Sequence, residues 1–193
     1  MVEVVLKCSC GQVEGIAHDI SPQTGLRLVC HCDDCQAFAK YLNREDAILD
    51  ESGGTDVFQT TPSQIEITQG KDQLRCVRLK PKGLFRWYTD CCKTPVANTI
   101  NASLPFSGIV HNFMDDKDQR DNNLGPVRFS VMGKFAKGEA PLPKGSHTKF
   151  PLSIIVNIFA RMIKNKILGR HKPSPFFDSN GVPVYEPIIH TKG

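Results

Sequence analysis

The chain has 193 residues, of which 40% are hydrophobic and 23% charged, and a formal charge of +4. These are ordinary values for a globular domain with room for an appendage, long enough to bury a core without covalent staples. Basic residues are spread along most of the chain, and the small positive excess gives no reason to expect nucleic-acid binding.

Residues 1–7 carry neither a basic leader nor a long apolar run. The longest apolar stretch, 150–168, is broken by Asn157, Arg161, Lys164 and Lys166. No secretory signal and no membrane span are therefore expected, and the expected location is cytoplasmic.

Residues 3–10 alternate and are rich in valine, which predicts a strand running into Cys8-Ser9-Cys10-Gly11, with 13–16 continuing it after a turn. Residues 26–30 predict a second strand. It leads into Cys30-His31-Cys32-Asp33-Asp34-Cys35 and a short helix over 36–42. After a turn at 52–55, residues 56–59 read as a strand. Residues 64–68 alternate with Ile65 and Ile67 on one face, and 69–72 close a hairpin. Strands at 74–79 and 84–88 follow, the latter running into Cys91-Cys92. The polar stretch 115–126 reads as an exposed loop. Residues 151–168 place Ile155, Phe159, Met162, Ile163 and Ile167 on a helical period, with Pro151 at the start and Gly169 at the end. The proline-rich tail beyond is expected to lie extended along the surface. Many short strands with little helix before residue 145 predict a mainly β, antiparallel fold with a C-terminal amphipathic helix. The expected division is 1–145 as a metal-binding β domain and 146–193 as a helix and tail packed on it.

Eight cysteines in a reducing compartment are not expected to form disulfides, which leaves metal binding, redox chemistry or burial. A Cys-x-Cys on a strand or tight turn puts two sulfurs on one side, and a third three residues later can curl back to the same point. Cys30, Cys32 and Cys35 can therefore converge on one ion. Soft thiolates in tetrahedral geometry select zinc or an iron–sulfur cluster, and three protein ligands leave a fourth position open, as in a catalytic zinc site. Cys8 and Cys10 with the adjacent Cys91 and Cys92 have the makings of a closed, structural site tying the N-terminal strand to strand 84–88. Within the adjacent pair Cys92 is the preferred ligand. Cys76, beside Val77, reads as a small buried hydrophobe. His31 points to the opposite face of a regular strand, and Asp33 and Asp34 read as solvated loop carboxylates. Arg86 and Lys93 are cations that could bind substrate carboxylates.

Cys8-x-Cys10-Gly11, Cys30-His31-Cys32-x-x-Cys35-Gln36 and Cys92-Lys93-Thr94-Pro95 together resemble the glutathione-dependent formaldehyde-activating enzyme family, in a divergent bacterial branch. The resemblance spans roughly residues 3–110. It implies a β-tent fold with two zincs: a catalytic one on Cys30, Cys32 and Cys35 and a structural one on Cys8, Cys10 and Cys92. The implied activity is carbon–sulfur lyase chemistry on a thiol–aldehyde adduct such as S-hydroxymethylglutathione, with a small thiol, glutathione in that family, as substrate. The family's third segment reads Cys-x-x-Cys-Gly. Here Thr89 stands at its first position and Lys93 at its glycine, with Cys91 able to substitute from a shifted place. Residues 145–193 have no counterpart in the characterised enzymes.

Two other functions fit the same residues. One is a zinc-stabilised binding or scaffold module, with the C-terminal helix as a partner or homodimer surface, or more simply packed on its own domain. The other is a thiol redox sensor. The basic stretch from Arg161 to Lys172 reads as a solvated helix end.

Overall fold

The structure is a computed structural model that describes residues 1–114, 119–138, 142 and 145–190. In chain order it runs β1 (Val2–Lys7), β2 (Glu14–Ile20), β3 (Leu26–Cys30), α1 (Asp33–Tyr41), α2 (Glu45–Ile48), β4 (Thr55–Thr60), β5 (Ile65–Gln69), β6 (Leu74–Arg78), β7 (Phe85–Thr89), β8 (Pro95–Thr99), β9 (Ser107–Val110), α3 (Arg120–Leu124), β10 (Phe129–Val131), α4 (Leu152–Ile167) and β11 (Ile188–Ile189). The fold is mainly β with a C-terminal helix, as the strand pattern predicts.

The strands form a three-stranded sheet, β1-β2-β5, and an eight-stranded sheet, β10-β3-β4-β9-β8-β7-β6-β11. Pairing is antiparallel except at the two edges of the larger sheet, where β10 runs parallel to β3 and β11 parallel to β6. The principal core lies between the sheets. Val4, Leu6, Ala17, Ile65 and Ile67 of the small sheet meet Phe58, Cys76, Trp87, Ala97 and Ile109 of the large one. Strand alternation sends Val77 and Tyr88 to the other face, where they pack with Phe38, Ala39 and Leu42 of α1. A third cluster joins Leu26, Leu28 and Cys30 of β3 with Cys35, Val131 and Ile154.

Several predicted features differ. The expected hairpin around 69–72 does not form: β5 pairs with β2, and β6 with β7. Gly70, at φ +71°, turns the chain from one sheet to the other, so the turn chemistry is right but the partner is not. Gly15 lets β2 approach β5, because a Cβ there would stand 2.2 Å from the Glu66 carbonyl oxygen. Residues 115–118 of the expected polar loop lie outside the described residues. Within its remainder, α3 forms, buries Leu124 and places Asp121 against the buried Arg27, which also pairs with Asp56.

The tail does not simply lie on the surface. Phe176 and Phe177 enter the principal core against Trp87, with ring centroids 5.1 and 5.7 Å away. On α4, Ile154 and Met162 are buried, whereas Phe159, Ile163 and Ile167 of the predicted periodic set are exposed. No helix among the described residues is long and apolar enough to cross a membrane.

Candidate metal centres

Two groups of cysteines could hold a metal ion: Cys8, Cys10, Cys91 and Cys92, and Cys30, Cys32 and Cys35. Within each group the sulfurs lie within 4.8 Å of one another. Cys76 stands apart, fully buried in the principal core, as a small hydrophobe would. All eight cysteines are free of disulfides.

The four-sulfur group is built from two tight turns on different sheets. After β1 the chain reverses through Cys8-Ser9-Cys10-Gly11, with Gly11 N–H donating to the Cys8 carbonyl at 2.9 Å and Gly11 at φ +77°. The Val13 N–H donates to Cys8 Sγ at 3.2 Å. Between β7 and β8 the chain reverses again. The Thr89 N–H donates to the Thr94 carbonyl, the Lys93 N–H to the Thr89 carbonyl, and Lys93 adopts φ +56°. The two turns bring Cys10 Sγ to 3.3 Å and Cys8 Sγ to 3.9 Å from Cys91 Sγ. Cys8 and Cys10 are 3.6 Å apart, and Cys91 and Cys92 3.8 Å.

Four thiolates about 2.3 Å from a shared centre in a tetrahedron stand about 3.8 Å from each other. The observed spacings bracket that edge, so the donor set fits a tetrahedral thiolate-binding ion. Both adjacent cysteines take part in the cluster, with Cys91 making the close approaches to Cys8 and Cys10. The sequence favours Cys92 over Cys91, whereas the turn between β7 and β8 brings both sulfurs to the group.

The surroundings of Cys92 favour a thiolate. The hydroxyls of Thr89 and Thr94 lie 3.4 and 3.2 Å from its sulfur. Thr94 in turn accepts from the Ser9 N–H and donates to the Ser9 hydroxyl, which links the two turns. Burial opposes ionisation, but the surrounding hydroxyls of Ser9, Thr89 and Thr94 outweigh it and hold the Cys92 thiol at about 5. Cys91 moves the other way, pushed up to about 12 by burial and by its contact with Cys10. No threonine or serine was singled out from the sequence; the only clue is that Thr89 and Thr94 flank the Cys-Cys pair.

The three-sulfur group sits where β3 passes into α1. Cys30 is the last residue of β3, Cys32 is the N-cap of α1 and Cys35 lies in its first turn. The helix begins three residues earlier than predicted, because Cys32 caps it: its sulfur accepts from the Cys35 N–H at 3.4 Å. The positive end of the helix dipole lies there, yet against the lowering effect of the Cys30 thiol the Cys35 sulfur and burial push the Cys32 thiol up to about 11. Asp33 and Asp34 occupy the same first turn rather than a loop, and Asp34 pairs with Lys80 at 3.2 Å.

His31 is only 1% exposed and stays outside the sulfur group. Its Nδ1 lies 3.3 Å from the Ser52 carbonyl and its Nε2 2.9 Å from the Ser130 hydroxyl. A carbonyl only accepts, so Nδ1 carries the proton. Gln36 donates to the carbonyls of His31 and Phe135, both at 2.8 Å. These bonds fix the loop that presents the sulfurs.

Arg86 of β7 lies against Cys35. Its side chain donates to Asn98 Oδ1 at 3.3 Å, and its guanidinium stands 5.4 Å from the centre of the Phe38 ring. It is 3% exposed, and no carboxylate among the described residues forms an ion pair with it. The neighbouring Cys30 and Cys32 thiols, with Arg86, hold the Cys35 thiol well below its ordinary range against the opposing effect of burial. Cys30 is pushed strongly up by Cys32, Cys35 and burial. Arg86 is thus placed to balance thiolate charge. Lys93 belongs to the other cluster's turn, where it pairs with Asp90.

A crystal structure of a Rhodobacter sphaeroides protein, a Northeast Structural Genomics target, is similar to this chain at 15% identity and a TM-score of 0.44. The match covers 65% of this chain and 97% of that one. No curated protein matches. The profile described as a family of unknown function, DUF6151, matches residues 1–188, nearly the whole sequence, and the chain therefore belongs to that family.

Proposed function

We propose that the protein is a two-zinc, β-tent enzyme of the glutathione-dependent formaldehyde-activating type. In this reading Cys8, Cys10, Cys91 and Cys92 hold a structural zinc, and Cys30, Cys32 and Cys35 a zinc with one position left for substrate. The observation that carries the reading is the contrast between the clusters: four sulfurs at tetrahedral spacing in one, and in the other three beside a buried arginine that pairs with no carboxylate among the described residues. Three thiolates on a divalent ion leave one net negative charge, which Arg86 neutralises. Such a centre supplies, when zinc is bound, a soft site for a substrate thiolate rather than a strong activator of water.

The reaction would join the sulfur of a thiol such as glutathione to the carbonyl carbon of an aldehyde. The thiol proton ends on the former carbonyl oxygen, and the lyase direction reverses both changes. The protein's own contribution is to hold Cys30, Cys32 and Cys35 convergent, through the helix cap at Cys32 and the loop pinned by His31 and Gln36, and to exclude water from the sulfurs. Cys30 and Cys35 are 7% and 8% exposed.

That burial also favours a second reading, in which the three-sulfur centre only stabilises the fold and the protein is a binding or scaffold module. Metal content per chain, measured on anaerobically purified wild type and Cys32→Ser, followed by turnover of a formaldehyde–glutathione adduct, separates the two. Two zincs falling to one in the variant, with turnover lost, supports the enzyme. Two zincs falling to one with no adduct turnover and no thiol binding by the wild type leaves the scaffold. Metal-free protein in both forms would sink the metal reading and direct attention to cysteine oxidation.

A further inference from the structure

Helix α4 has two apolar faces. One, with Ile154 and Met162 buried, is turned into the domain. Arg161 fastens the same side by donating to the carbonyls of Gln23 and Gly25. The other face has no partner among the described residues. Leu152, Val156, Phe159, Ile163 and Ile167 recur at helical spacing and are 58–81% exposed. A helix this amphipathic on its outer side needs a reason, since isolated exposed hydrophobics are common but a continuous stripe is not.

The charge around the stripe indicates what covers it. Residues 145–177 include Lys149, Arg161, Lys164, Lys166, Arg170 and Lys172 and no Asp or Glu. These six positive charges exceed the +4 of the whole chain, so the remainder is net acidic. At 100° per residue Lys164 and Lys166 fall on opposite flanks of the apolar stripe, and Arg170 and Lys172 follow its C-terminal end. A second copy docking by the same face would bring these cations no carboxylate from its own helix region, because a two-fold interface uses the same surface on both copies and residues 145–177 hold no Asp or Glu.

We propose that α4 docks the protein onto an anionic phospholipid surface. The stripe from Leu152 to Ile167 would lie at the boundary between headgroups and acyl chains, with Lys164, Lys166, Arg170 and Lys172 at the phosphates. The helix lies in the plane of the surface and does not cross it. Its inner face shares an apolar cluster with Cys30 and Cys35, so docking sets the three-sulfur centre on the membrane-facing side of the molecule.

The test is co-sedimentation of the full metal-loaded chain with vesicles of phosphatidylcholine alone or mixed with phosphatidylserine. Binding is expected to the mixed vesicles, to be absent from pure phosphatidylcholine, and to be lost at about 0.5 M salt. The pair Phe159→Glu and Ile163→Glu should cut binding at least tenfold, and Lys164→Gln about fivefold. All three positions are exposed, so unchanged melting and metal content should accompany the loss. Equal binding to both vesicle types, no binding to either, or binding unaffected by the glutamates overturns the proposal. A solution dimer that the glutamates dissociate, in protein that ignores vesicles, overturns it too and assigns the face to a second copy.

Discussion

Arg86 shows how one side chain changes what a cluster of thiols can do. A guanidinium removed from water with no carboxylate partner is costly unless another anion compensates it, and Cys35 is the group it meets. Arg86→Met should keep the bulk of the side chain over Phe38 but remove the charge. Metal affinity at Cys30/Cys32/Cys35 should fall by about 10- to 100-fold, the usual range for groups that support ligands without being ligands. Occupancy at the four-sulfur site should not change. Competition with a chromophoric chelator reads both sites in one titration, and equal weakening of the two would show a folding defect instead.

Cys92 gives a pH prediction for the metal-free protein. Its thiol is lowered from 9.0 to about 5 in the folded state, so the folded chain holds fewer protons than the unfolded chain between those values. The stability it adds is full above about pH 9 and is lost as pH falls towards 5. Cys35 is lowered as well and acts with the same sign. Melting temperature of the metal-free protein should therefore decline across that window, and Cys92→Ser should flatten the decline. A slope unchanged by the substitution would remove Cys92 as its source. At this scale the ligand candidates were legible, because Cys-x-Cys and Cys-x-x-Cys spacings are local. The role of Arg86, and of Ser9, Thr89 and Thr94, was not, since each acts across a fold that brings distant residues together.

At the scale of elements, legibility followed the pattern of burial. The strands β1 and β5 alternate between buried and exposed positions and were marked by that alternation. In β8 and β9 every residue is buried, so no period of two remains to be seen. α4 was predicted almost to its ends, yet which face of it packs was not, because both of its sides are apolar. The tail departs from expectation for a related reason. Four prolines after Gly169 predict an extended surface segment, whereas Phe176-Phe177 is a large apolar pair that the core absorbs. Phe176 is fully buried and stacked on Trp87. Phe176→Ala should destabilise the protein by about 3–5 kcal/mol, and urea unfolding followed through Trp87 fluorescence measures this. A cost below about 1 kcal/mol would mean that the tail packs without bearing on the core.

For the molecule as a whole, the four-sulfur cluster joins a turn leaving the small sheet to a turn within the large one. It therefore closes a long loop, from Cys8 to Cys91, across the principal core. If metal is held there well above its dissociation constant, it contributes about 4 kcal/mol at a thousandfold excess. Chelation should then lower the melting temperature by about 10 °C in a chain of this size. The loss should be much smaller in Cys8→Ser, which starts without the site, and a chelator effect of equal size in both would place the stabilising metal elsewhere.

The sequence by itself determined the class of the fold, the existence of two cysteine groups and the membership of the Cys30/Cys32/Cys35 group, because periodicity and ligand spacing are properties of short stretches. Tertiary structure alone decided that Cys91 joins Cys92, that β5 pairs with β2 rather than with its neighbours in sequence, and that Arg86 faces a thiolate. It alone decided which side of α4 stays uncovered. Each of these depends on which distant surfaces meet, and that is settled by burying the most apolar area without stranding a charge, a balance that no local pattern encodes.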